Sequence, residues 1–200
     1  MRLWITLAMR CVSTVRSSLM VSLSPVTRDR LADANAFPSG YISDEQIVVS
    51  CDGGALSWRA IACPRYTKRY ADDPLEADIY LDPHRGAGWI AYADGRPVGQ
   101  ILVRRWWNGL AYVDDLRVHP EAQRQGIGRA LLARARAWAH DAGLPGVMVE
   151  TQHTNAPACR FYAACGLELG GLDRCLYRGT ECAGEVVLFW YAWNEGAPDL

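Results

Sequence analysis

A chain of 200 residues, half of them apolar and 22% charged, holds enough hydrophobic material for one domain with a substantial core. A formal net charge of −1 argues against a nucleic-acid binder, and no apolar run approaches the length that spans a bilayer. Seven cysteines, an odd number without C-x-x-C or zinc spacing, together with four scattered histidines, argue for a reducing cytoplasm and against a metal site.

Residues 1–19 carry Arg2, Arg10 and Arg16 among Ser, Thr and apolar residues, and no acid precedes Asp29. The arginines interrupt the apolar run a secretory signal needs, so this stretch reads as a disordered extension or as sequence upstream of a true start at Met20. Residues 20–200 read as a single mixed α/β domain. Residues 28–36 predict a short helix. Residues 46–50 and 55–61 predict a hairpin around Asp52-Gly53-Gly54, and residues 88–93 and 97–106 a second one turned at Asp94-Gly95. Residues 110–118 continue the sheet. The intervening stretch 65–85 is long, polar and acidic, with Asp72, Asp73, Glu76, Asp78 and Asp82. It fits either an acidic lip that attracts a cationic substrate or a solvated loop with no ligand.

Past Pro120, the run Gln123-Arg124-Gln125-Gly126-Ile127-Gly128-Arg129 leads into a segment where Leu131, Leu132, Ala135 and Trp138 recur at helical spacing. A helix therefore starts near Gly126. Its first turn leaves backbone N–H groups without partners and concentrates partial positive charge, which suits a phosphate. Gly126 and Gly128 permit unusual φ values and close approach of the backbone, and Arg124 and Arg129 add full charge. Neither the P-loop pattern nor the three-glycine dinucleotide fingerprint is present. A strand at 146–151 follows, and then Asn155 and Pro157 mark the start of a short helix that carries Phe161 and Tyr162 and stops at Gly166. Cys159 and Cys165, on and just past this helix, read as small buried hydrophobes. Residues 167–177 and 185–193 predict a closing strand pair. The aromatic stretch 186–193 fits either core or the interface of a homodimer.

The Q-x-x-G-x-G run and the stretch from Glu150 to Leu167 resemble the GCN5-related N-acetyltransferases (GNAT). Trp107-Asn108, Val113-Asp114-Asp115-Leu116, Asn155-Ala156-Pro157-Ala158, Gly171-Leu172-Asp173 and Tyr177 are similar to the streptothricin acetyltransferases within that family. The resemblance covers about residues 94–193. It implies an α/β acyltransferase fold, a mostly antiparallel sheet splayed at its central strand with flanking helices. It also implies acetyl coenzyme A as acyl donor and a small cationic amine as acceptor, most plausibly of the streptothricin type.

By the same resemblance, Leu116, Arg117 and Val118 on the central strand bind the cofactor together with Gln123, Arg124, Gln125, Gly126, Ile127, Gly128 and Arg129. Asn155 would hold the pantetheine or phosphate arm, and Tyr162 would stand near the sulfur as proton donor. Asp114 is the matched base, with Asp115 or Glu150 as alternatives, and Trp107, Asn108, Asp115, Asp72 and Asp73 are placed on the acceptor side. Successive strand residues point to opposite faces, so only one of Asp114 and Asp115 is expected to face the site. Some members carry Glu where Asp114 stands, so the shorter carboxylate would reach its proton through a water, or the base lies elsewhere. Two rival readings stay open: an enzyme of the same fold acetylating protein N-termini or lysines, and a non-catalytic acyl-coenzyme A sensor.

Overall fold

A computed structural model of the protein describes residues 20–70 and 75–196. The expected extension at residues 1–19 and the acidic pair Asp72 and Asp73 lie outside the described residues. The strands are β1 (Val21–Pro25), β2 (Gly40–Asp52), β3 (Ala55–Arg69), β4 (Gly86–Ala93), β5 (Arg96–Arg105), β6 (Ala111–Val118), β7 (Gly146–Gln152), β8 (Glu168–Asp173) and β9 (Val187–Trp193). The helices are α1 (Ala77–Leu81), α2 (Ile127–Asp141) and α3 (Ala156–Ala164).

Two-residue turns set the hairpins. At Asp94 and Gly95 φ is 49° and 77°, and at Gly53 and Gly54 it is 55° and 88°. Left-handed pairs of this kind match the twist of antiparallel strands, so each turn fixes the register of the ladder behind it. The main sheet runs β1-β4-β5-β6-β7-β9-β8, and β2 with β3 forms a separate ribbon. α2 buries Ile127, Leu131, Leu132, Ala135 and Ala139 at helical spacing, and each large side chain so removed from water contributes about 1.5–3 kcal/mol. The ribbon joins the same core through Ile47, whose N–H donates to His153 O at 2.8 Å, and through Trp58, edge-on to the fully buried Trp190.

Several expectations need correction. The helix expected at 28–36 is a 3-10 segment, Arg28–Asp33, because Asn35 turns left-handed (φ 59°) and gives its N–H to the buried Gln100 Oε1 at 2.7 Å. The first hairpin is far longer than 46–61, since β3 continues to Arg69. The stretch 65–85 is therefore not one loop: it contains the end of β3 and helix α1. The strand expected at 167–177 ends at Asp173, whose carboxylate accepts the N–H groups of Cys175 and Leu176 and closes a turn. β9 runs between β7 and β8 with Val187, Leu188 and Trp190 fully buried, so most of this aromatic stretch is core.

The feature that makes a site is the one parallel pairing in the sheet among the described residues. β6 meets β7 only at Ala111–Val147, Tyr112–Met148 and Val113–Val149. Beyond Val113, β6 stays bound to β5 as far as Val118 while β7 stays bound to β9 as far as Gln152. The two halves of the sheet diverge there, and the facing backbone edges are left without ladder partners.

Candidate active site

A cavity of about 1080 Å³ follows this opening. One wall is built from β6 beyond Val113, the first turn of α2, and α3. Gly126, the residue before α2, has φ 84°, a conformation costly for any residue with a Cβ. Gly128 does not share that geometry. It lies within the helix, where an added Cβ would stand 3.3 Å from the Phe161 ring, so it is needed for close approach and not for its φ. The N–H groups of Ile127, Gly128 and Arg129 open the helix without intrahelical acceptors. Gln123 is tied back to Val118 O at 3.1 Å, and Arg129 bridges to Ala164 O of α3 at 2.9 Å, so the strand, the loop and both helices are joined. Asn155 caps α3 by accepting the Ala158 N–H at 3.2 Å, which leaves its amide N–H groups as its donors.

Of the residues expected to bind the cofactor, Leu116, Arg117, Val118, Gln123, Arg124, Gly126, Ile127, Gly128, Arg129, Asn155 and Tyr162 all line the cavity. Gln125 does not; its side chain donates to Glu121 O at 3.3 Å. An exposed strand edge, a helix N-terminus without bulk and two arginines form a cradle that fits a pantetheine arm ending in a pyrophosphate.

The opposite wall is made of acids and phenols. Asp114 and Asp115 both line the cavity, contrary to the alternation expected of a regular strand. The cause is a β-bulge: Leu102 faces Asp115 and Val103 faces Val113, so Asp114 is the extra residue. Their surroundings differ. Asp115 accepts from Gln100 Nε2 at 2.5 Å and from Arg117 Nε at 2.9 Å, which makes it part of a structural network. Asp114 pairs through Oδ1 with Arg104 Nη2 at 2.8 Å and accepts the Tyr80 hydroxyl on Oδ2 at 2.9 Å. Burial pushes the Asp114 carboxyl up to about 6, against the lowering effects of the Arg104 charge and the Tyr80 hydrogen bond.

Glu150 accepts hydroxyls from Tyr112, at 2.9 Å, and from Tyr177. Tyr177 accepts from Gln152 Nε2, which in turn is oriented by Tyr70. Burial pushes the phenols of Tyr70, Tyr80, Tyr112 and Tyr177 upward, so all remain hydroxyl donors at neutral pH. Tyr162, on α3, packs its ring against Phe161 and Trp190. Burial raises its pKa as well, and among the described residues its hydroxyl has no hydrogen-bond partner.

Trp107 and Asn108 stand apart from this cavity. Trp107 is 86% exposed on the β5–β6 turn, and Asn108 braces that turn through the Leu110 N–H and the Met148 sulfur. Sequence reasoning missed Arg104, Tyr80, Tyr112 and Tyr70. One signal was available: Arg104 interrupts the apolar run Ile101-Leu102-Val103 in phase with the buried face of a strand.

A sheet opened beside a phosphate-ready helix, with a carboxylate at the apex and a buried phenol opposite, defines an acyl-coenzyme A-dependent N-acyltransferase. The acetyltransferase (GNAT) family model matches residues 55–167, and the chain belongs to that family. It is 36% identical over 126 residues to streptothricin acetyltransferase A of Bacillus subtilis, covering 63% of this chain and 72% of that protein. It is 34% identical over 153 residues to a streptothricin acetyltransferase of Escherichia coli, covering 76% and 82%. A solved structure assigned as a streptothricin acetyltransferase of Bacillus anthracis, in complex with acetyl coenzyme A, superposes with a TM-score of 0.77 at 28% identity, covering 88% of this chain and 99% of that one. The protein is an N-acetyltransferase, and acetyl coenzyme A is its acyl donor.

Proposed function

We propose that the protein acetylates a primary amine of a small cationic antibiotic of the streptothricin type, with Asp114 as proton acceptor and Tyr162 as proton donor. The observation that carries this reading is the position of Asp114, in the bulge where β6 leaves β7 and the two walls of the cavity meet. The names of the relatives supply the acceptor class. Asp114 and Glu150, set among tyrosine rings, suit a cation by charge and by ring quadrupole.

When bound, acetyl coenzyme A supplies the acetyl thioester. The backbone edge of β6 beyond Val113 and the N–H groups at the start of α2 would hold the pantetheine and pyrophosphate portions, assisted by Arg124, Arg129 and Asn155. An amine attacks only when neutral, so Asp114 must take its proton, directly or through a water. With its pKa near 6, Asp114 is ionised at neutral pH and ready to accept. Tyr162 keeps its proton until a thiolate leaves, and its unpartnered hydroxyl is free to give it up. An acyl donor drawn from cytoplasmic metabolism supports a cytoplasmic reaction.

The test is release of coenzyme A thiol with streptothricin, an aminoglycoside and a lysine peptide offered separately. Saturable turnover confined to streptothricin supports the reading. Preference for the peptide would transfer the activity to protein acetylation, and acetyl coenzyme A binding without turnover on any amine would make the domain a sensor.

A further inference from the structure

Arg104 is held unusually firmly for a cation at a cavity wall. Its guanidinium lies 4.7 Å from the Trp106 ring centroid and 5.9 Å from that of Tyr112. Its Nε is buried, and no group among the described residues accepts from it. An arginine on an open surface keeps its head in water and swings between partners. Packed against the stacked Trp106 and Tyr112 rings, with one N–H already shut off from solvent, Arg104 has one good outlet: the 2.8 Å pair from Nη2 to Asp114 Oδ1.

We infer that Arg104 is a positioning residue, a fixed positive charge that aims the Asp114 carboxylate at the acceptor amine and keeps it ionised at neutral pH. This rests on Asp114 being the proton acceptor. Each Asp114 oxygen accepts one hydrogen bond, from Arg104 or from Tyr80, and a carboxylate oxygen has two acceptor sites. One site on each oxygen therefore stays open to an amine while the plane of the group is fixed.

The groups around Asp114 show why the charge matters. From α1 come Tyr80 and, at the start of that helix, Glu76; from β6 itself Tyr112 and Asp115; and from β7, through Tyr112, Glu150. All are neutral or negative. Arg117 bonds Asp115, which leaves Arg104 as the cation in contact with Asp114. Burial pushes Asp114 upward, and Arg104 is the strongest influence in the opposite direction.

The test is the pH dependence of kcat/KM, read by coenzyme A thiol release, in the wild type, Arg104→Met, Arg104→Gln and Asp114→Asn. Acetyl coenzyme A affinity and thermal unfolding are measured alongside. An opposite charge this close shifts a carboxyl by about one to three units. Arg104→Met should therefore move the rising limb upward by that amount, lowering activity at pH 6 by about five-fold to five-hundred-fold. Activity should recover in alkali, with acetyl coenzyme A affinity unchanged. Arg104→Gln keeps a donor without the charge; it should shift the limb the same way with a smaller loss at the plateau, and it carries the test if the Met variant does not fold. A limb at the wild-type position in the folded variants would overturn the inference while leaving the role of Asp114 intact, provided Asp114→Asn abolishes the limb. A limb that survives in Asp114→Asn would overturn both.

Discussion

The two walls of the cavity are made in different ways. The donor wall comes largely from one stretch of chain, β6 through the first turn of α2, and offers mostly backbone groups and absent side chains. The acceptor wall is assembled from β2, α1, β5, β6 and β7, and offers carboxylates, phenols and a clamped arginine. A backbone surface recognises what every acyl-coenzyme A shares. A side-chain surface can change acceptor without disturbing the donor, so a fault introduced in one wall should leave binding at the other unchanged.

The sharpest cut across that division is Asp114→Asn. It removes the proposed proton acceptor and should lower kcat/KM by about 10²–10⁴-fold while acetyl coenzyme A affinity stays as it was; parallel losses in both would dissolve the distinction between the walls. Tyr162→Phe comes next, with kcat expected to fall about 10²-fold, again without loss of donor binding in a titration. Gly128→Val probes the other wall. Its Cβ meets Phe161 at 3.3 Å, and overpacking of this kind costs about 1–3 kcal/mol, to be seen as weaker acetyl coenzyme A binding with the acceptor KM unmoved.

Glu150→Gln should raise the acceptor KM by about tenfold, the loss of one charge-assisted contact, and leave the donor affinity alone. At the small end, Trp107→Ala should change neither constant, and stability should move by no more than about 0.5 kcal/mol, because the ring is 86% exposed and outside the cavity. A clear rise in acceptor KM would return Trp107 to the acceptor side.

The same contrast explains what the sequence made legible. The donor wall is encoded locally: glycines, a helix start and an Asn-Pro helix start lie within short spans, and the turns at Gly53-Gly54 and Asp94-Gly95 announce their hairpins. The bulge at Asp114 was not legible, because it is a mismatch of register between β5 and β6 and belongs to neither strand alone. Nor were the contacts of Arg104 and Tyr80 with Asp114, which join positions far apart in the chain through the sheet. β1 escaped notice because a short edge strand ending in Pro25 carries little pattern of its own; its partner β4 gives it shape. β9 was ambiguous because its apolar run lacks alternation in sequence; the alternation is in its burial, with Leu188, Trp190 and Ala192 buried and Phe189, Tyr191 and Trp193 less so.

The raised Asp114 carboxyl also has a consequence for stability. Its folded pKa, about 6, lies above the ordinary 3.8, so the folded protein binds the proton more tightly than the unfolded chain. Its contribution is therefore fully present below the unfolded pKa and is lost as pH rises through about 6. The group proposed to take the amine's proton works against the fold at the pH where it would act.

The most direct measurement is the pH profile of kcat/KM with streptothricin for the wild type and Asp114→Asn, alongside acetyl coenzyme A affinity over the same range. If Asp114 takes the amine's proton, the wild type shows a rising limb with its midpoint near 6, the variant loses that limb, and donor affinity is flat in both. A limb that persists unchanged in Asp114→Asn would contradict the central claim and move the base elsewhere in the acceptor wall.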